Sequence, residues 1–230
     1  MERKNLKLFI ILLLLLLPIV LIVLVRNFLS TNYLASSIYK LIFISPLFYR
    51  LFIRKRSLKD SITEGFNFKK FKDKFWIVIG VGILLSIIYF SAYFVFKGYL
   101  NLESIGNNLD QLASINATNI IFIGVYIVFI NSLLEEFFWR GFIFKETNKL
   151  MTPLLTYLIT GIAFSFHHVM FYYTWFSFPL FSLVTIGLVG FAVIVNFIFQ
   201  QYEDLYSCWL IHGMVDIVQI TIAIMIFGII

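Results

Sequence analysis

Long apolar runs parted by short polar ones fill this chain from end to end. The first run, Leu8–Val25, follows Arg3, Lys4 and Lys7 and contains Pro18, a kink position. No small-residue cleavage site follows it, so it reads as a retained anchor and not a signal peptide. Further runs lie at 33–53, 75–96, 118–144, 153–173, 176–199 and 205–229. The second is the weakest, because Lys40 and Arg50 interrupt it, and Lys40 has to snorkel or face protein. Lipid admits only helices or closed barrels, and these runs are too long for barrel strands of about 9–11 residues. The pattern therefore predicts an all-α polytopic bundle of seven transmembrane spans, or eight if a re-entrant piece lies near 171–179. It forms one integral membrane domain, with N-terminal helices over 1–117 and a helical core over 118–230.

Composition agrees: 61% of the residues are hydrophobic, against about 45–50% in a soluble domain. The net charge of +6 is explained by its location. Residues 50–74 hold 9 of the 18 Lys and Arg but only Asp60, Glu64 and Asp73 as acids. By the positive-inside rule this is a cytoplasmic loop, which puts the N-terminus in the cytoplasm of a multi-pass cell-membrane protein. Its expected partner is anionic lipid, not nucleic acid. Residues 98–117 are polar, with Lys97 the one flanking base, and read as an external loop with a short surface helix. The single cysteine, Cys208, excludes an intrachain disulfide framework and a CxxC metal site.

The chemistry is concentrated inside the apolar runs. The stretch 131–144, Asn-Ser-Leu-Leu-Glu-Glu-Phe-Phe-Trp-Arg-Gly-Phe-Ile-Phe, sets Glu135, Glu136 and Arg140 among large apolar side chains. Each charge at mid-membrane costs about 2.5–3.5 kcal/mol on insertion scales. On a helix Glu136 and Arg140 are i and i+4 and pair on one face, while Glu135 points about 100° away. All three histidines, His167, His168 and His212, also fall in predicted spans, and Asp216 lies one turn after His212. Ionisable groups in spans face a bundle interior and find one another, so three helices should converge on one polar pocket.

Several readings of the set stand side by side. Glu136–Arg140 alone would serve as a structural lock, and Asp216 as a group that orients His212. A desolvated carboxylate helped by an imidazole suits a general base acting on water, with a second imidazole at the oxyanion. Glu135, His168 and His212 would equally make a two-His, one-carboxylate zinc site, although no H-E-x-x-H is present. Ser132 and Ser165 lack a G-x-S-x-G context, and Cys208 has only its proximity to His212 as a nucleophile's credential. A proton-coupled transporter also uses buried Glu and His but should show repeated halves, which this chain lacks.

Three motifs in order carry a family resemblance: Glu135-Glu136-x-x-x-Arg140-Gly141, Phe164-x-x-x-His168 and His212-x-x-x-Asp216. Over about 118–220 the chain resembles the CPBP family, the CAAX-protease and bacteriocin-processing intramembrane proteases, also called the Abi family. The resemblance implies an intramembrane endopeptidase that needs no metal and acts on a membrane-associated peptide or protein, in peptide maturation or bacteriocin self-immunity. It implies Glu135 as the base that activates water, His168 as its partner, His212 with Asp216 on the oxyanion side, and Glu136–Arg140 in support. Asp216 stands where the family often has Asn, so it donates there only as a protonated acid. A catalytically silent membrane-interaction or immunity protein is the alternative, and three intact motif groups argue against it. At about 1.5 Å per residue, Glu135 and His168 come out at unequal depths from their helix ends. The pocket therefore requires a tilted or longer fifth helix.

Overall fold

Every regular element in the computed structural model, which describes residues 2–28, 38–171 and 173–230, is a helix. We number them α1 (Glu2–Phe28), α2 (38–53), α3 (Leu58–Thr63), α4 (Phe68–Phe96), α5 (Leu102–Ala113), α6 (Ile120–Thr147), α7 (Pro153–Val169), α8 (Phe178–Tyr202) and α9 (Leu205–Ile226). Five are long and apolar enough to cross a membrane: α1, the Leu58–Tyr99 stretch containing α4, α6, α8 and α9. Their outward faces carry exposed Trp76, Phe122 and Phe178, a surface that lipid and not water would cover.

The other two expected spans take different forms. The stretch 38–53 has no uniform helix. It passes from a 3₁₀ segment (Ile38–Ile44) through one α turn (Ser45–Phe48) to a π segment (Tyr49–Ile53). Its expected first residues, 33–37, lie outside the described residues. α7 has 17 residues and starts at Pro153, where a proline fits because its missing N–H is unneeded in a first turn. Residues 173–177, in the region of the expected re-entrant piece, form turns before α8. The third span begins earlier than its apolar run suggests. Asn67 caps α4 by accepting from Lys70 N at 3.1 Å, so the helix starts at Phe68 and its first turns carry exposed lysines. α5 is the surface helix expected before the fourth span, amphipathic and capped by Asn101.

Three apolar cores hold the bundle among the described residues, the smallest around Ile115 and Ile120. Leu15 and Ile22 of α1, Tyr39 and Phe43 of α2, Phe138, Trp139 and Phe142 of α6, and Ala163 and Phe164 of α7 form one. Val78 of α4, Phe144 of α6, Val195 and Phe199 of α8, and Leu205, Cys208 and Ile211 of α9 form another. Turns then fix the register between them. Buried Asp204 caps α9 through Ser207 and accepts from Asn67 N at 2.8 Å. Leu205 N donates to Gly65 O at 2.8 Å. Gly65 is at φ +96°, and a Cβ there would lie 2.9 Å from a Leu205 methyl, so this turn requires glycine.

Arg50 turns the weak second run into a structural element. It is 2% exposed. Its guanidinium donates to Ser61 O at 2.9 Å and to Gly141 O of α6 at 2.7 Å, pairs with Glu64 at 3.3 Å, and lies over the Phe137 ring at 4.5 Å. Glu64 also pairs with Lys145 at 2.8 Å, and Arg54 with Glu146 at 2.6 Å. Part of the basic loop is thus bound to the end of α6, while Lys55, Arg56, Lys59, Lys69, Lys72 and Lys74 stay exposed. Arg50→Met should leave buried carbonyls without donors and cost about 1–3 kcal/mol for each. Arg56→Met should stay within about 0.5 kcal/mol of wild type. Thermal unfolding in detergent measures both, and equal melting temperatures would contradict this account of Arg50.

Candidate functional site

The site is built on a distorted helix. Within α6 the α turn Ser132–Phe138 sits between two π segments, Ile127–Asn131 and Trp139–Phe144. Such segments are rare and recur at functional sites, because the wider turn re-aims the side chains that follow. The Ser132 hydroxyl donates to Val128 O inside the first segment, and Arg50 takes Gly141 O in the second. α9 approaches the same place closely: a Cβ on Gly213 would lie 3.3 Å from Val128 O. A side chain there would push His212 away from α6.

Glu136 is fully buried, and its Oε1 accepts from Arg140 Nη1 at 2.8 Å and from His212 Nδ1 at 2.8 Å. The Glu136–Arg140 pairing predicted from the i,i+4 spacing is present. Arg140 continues the network: Nε donates to Asn196 Oδ1 at 3.1 Å, and the guanidinium lies over the Phe164 ring at 4.3 Å. Asn196 donates on to Thr160 Oγ1 at 3.0 Å. One polar chain therefore joins α6, α7, α8 and α9. Carboxylates only accept here, so His212 Nδ1 carries a proton, and Glu136 rather than Asp216 orients the ring.

Glu135, 3% exposed, faces the other way, as the 100° step requires. Its Oε1 accepts from Asn131 Nδ2 at 2.6 Å. Its Oε2 lies 3.2 Å from His168 Nε2 and 3.9 Å from His212 Nε2, and Oε1 lies 3.9 Å from His167 Nε2. Glu135 and His168 meet although α7, 17 residues from Pro153 to Val169, is shorter than the expected fifth span, while α6 runs two residues beyond Lys145 to Thr147. His168 Nδ1 is 2.9 Å from Phe164 O. A carbonyl accepts, so that nitrogen bears the proton and Nε2 of the neutral ring offers a lone pair. A bare lone pair facing a carboxylate oxygen needs a proton between them, from a charged ring, an acid or a bound water. Asp216 Oδ1 is 3.7 Å from His212 Nε2, and the residue is 7% exposed.

All six predicted residues, Glu135, Glu136, Arg140, His168, His212 and Asp216, thus meet in one cluster, buried except for the partly exposed His168. Sequence reasoning passed over three more. Asn131 holds Glu135 at i,i+4, the same spacing that revealed Glu136–Arg140. Asn196 is a polar residue inside an apolar run. His167 was seen beside His168 but given no part. For a metal, the grouping that the structure brings together is Glu135, His167 and His168, whose ligand atoms lie within 4.8 Å of one another. His167 stands in this grouping where the sequence put His212.

The two glutamates should separate by stability. Glu136→Ala strands Arg140 and His212 in the bundle, a loss of about 3–5 kcal/mol. Glu135→Ala removes a carboxylate whose neighbours are neutral donors or ring nitrogens and should cost less. Thermal melts in detergent decide, and a lower melt for Glu135→Ala would reverse the two assignments.

The family model described as type II CAAX prenyl endopeptidase, Rce1-like, matches residues 117–218. No curated protein and no solved structure matches the chain. The matched stretch contains every residue of the cluster, and α1–α5 lie outside it.

Proposed function

We propose, from the match of residues 117–218 to the Rce1-like type II CAAX prenyl endopeptidase family model, that this protein cuts a membrane-associated peptide or protein with water activated by Glu135. The observation that carries the reading is Glu135 itself. It is a buried carboxylate separate from the Glu136–Arg140 pair, with His168 Nε2 at 3.2 Å.

The step follows from the proton inventory. Water that lies beside the 3.2 Å contact of Glu135 with His168, donating to the carboxylate and to the bare Nε2, gives a proton to the carboxylate as its oxygen bonds to the scissile carbonyl carbon. The carbonyl oxygen gains the negative charge. His212, its Nδ1–H fixed on Glu136, turns Nε2 toward Glu135 and Asp216. As an imidazolium between two carboxylates it donates to the oxyanion. Asp216 belongs to that side. When the C–N bond breaks, Glu135 returns the proton to the leaving amine, so no covalent intermediate or cofactor enters. Glu136 and Arg140 hold the geometry.

In the membrane we propose seven spans, with α2 and α7 completing the five long helices and the N-terminus in the cytoplasm. The exposed lysines of 55–74 then meet anionic lipid. The substrate is a peptide or protein presented at the cytoplasmic half of the bilayer, in peptide maturation or self-immunity. A second reading has one observation in its favour: the Glu135, His167 and His168 cluster fits a zinc ion by donor type and spacing.

The test incubates purified protein with a panel of membrane-tethered peptides. Glu135→Gln keeps shape and hydrogen bonding but removes the base, so cleavage should fall by about 10²–10⁴ in a protein that still folds. More than about a tenth of wild-type activity would remove Glu135 from the role. The same assay after dialysis against a chelator should be unchanged. Activity lost to chelator and restored by zinc would establish the second reading instead.

A further inference from the structure

α7 carries two adjacent histidines, and the family motif uses only His168. We infer that His167 is a second imidazole on the nucleophilic water, its Nε2–H donating to the oxygen that Glu135 deprotonates. This rests on the reading of Glu135 as base.

Successive residues on a helix point about 100° apart, so neighbouring histidines ordinarily serve different surroundings. Here both rings turn Nε2 toward one carboxylate, at 3.9 Å from Oε1 for His167 and 3.2 Å from Oε2 for His168. His167 is 2% exposed, and its Nδ1 has no hydrogen-bond partner among the described residues. Its hydrogen-bonding capacity is therefore concentrated on the edge facing Glu135. A gap of 3.9 Å is too long for a direct bond, and it is the span one bridging oxygen covers.

The two rings are complementary in that position. His168 has its proton fixed on Nδ1 by Phe164 O and offers a lone pair. His167, with no acceptor at Nδ1, places its proton on Nε2 and offers a donor. A water then donates to Glu135 and to His168, accepts from His167, and keeps one lone pair for the carbonyl carbon.

The ring is also clamped. Phe43 meets it edge-on with centroids 5.2 Å apart, Tyr39 lies at 5.7 Å and Trp139 at 6.0 Å. Tyr39 and Phe43 belong to α2, outside the matched stretch. This chain therefore brings its own N-terminal segment to orient a histidine that the family motif does not require.

The competing explanation is that His167 is a packing ring, and two substitutions rank oppositely under the two explanations. His167→Phe keeps the ring and removes the donor; His167→Gln keeps a donor near Nε2 and removes the ring. With the membrane-tethered peptide that wild type cuts, the inference expects kcat of the Phe variant to fall about 10–100-fold at unchanged KM and melting temperature. The Gln variant should stay within a few-fold of wild type. Full activity in the Phe variant, or a folded but inactive Gln variant, overturns the inference. If the Phe variant does not fold, the Gln variant decides alone by the same criterion. Glu135→Gln in the same assay separates the levels. If it is dead while His167→Phe is fully active, only the role of His167 falls. If it is active, or if no peptide of the panel is cut, the reading of Glu135 falls and His167 with it.

Discussion

A single carboxylate oxygen, Oε1 of Glu136, holds the C-terminal half of this molecule together. It accepts from Arg140 on its own helix and from His212 on α9. Through Arg140 and Asn196 it reaches α8 and α7. Burying a carboxylate and a guanidinium carries a desolvation penalty of several kcal/mol per ion, and paired geometry with full hydrogen bonding is what offsets it. Any slip of one helix against another would leave a charge alone in an apolar interior. The network therefore fixes register as much as it stabilises, and with Glu136 occupied in this way, Glu135 stands apart from the Glu136–Arg140 pair.

Much of this was legible because helical spacing is simple. Glu136 and Arg140 four residues apart had to share a face, and Glu135 had to leave it. Rare ionisable groups in apolar runs had to converge, and they do. What the sequence did not reveal has equally physical reasons. Local propensity does not encode a π segment, so neither distortion flanking Ser132–Phe138 could be read, although the first precedes both glutamates and sets their direction. His167 beside His168 is ambiguous by pattern alone, since one of two neighbouring residues on a helix usually points elsewhere. Asn131 was readable at i,i+4 from Glu135, but an amide attracts less notice than a charge. The start of α4 was hidden because lysines in a first turn lower hydropathy without ending a helix.

The N-terminal half is more than a set of anchors. Arg50 reaches across to Gly141 O in the second π segment, and Phe43 and Tyr39 pack on His167. Lys40 and Arg50, the two charges that weaken the second apolar run, mark where it contacts the core. Lys40 lies over the Tyr126 ring of α6 at 5.8 Å. Two cations are costly facing lipid, and here Arg50 is buried on Glu64 and α6 while Tyr39 and Phe43 of the same segment pack on His167.

The central claim is that Glu135 takes a proton from water and never bonds to substrate. A single turnover in oxygen-18 water, with enzyme in excess over a peptide it cuts, tests this directly. Attack by water puts the label into the new C-terminal carboxyl of the product in the first turnover and none into the enzyme. An unlabelled first product, with oxygen-18 appearing in the Glu135 side chain by mass spectrometry, would mean the carboxylate is the nucleophile and would contradict the account.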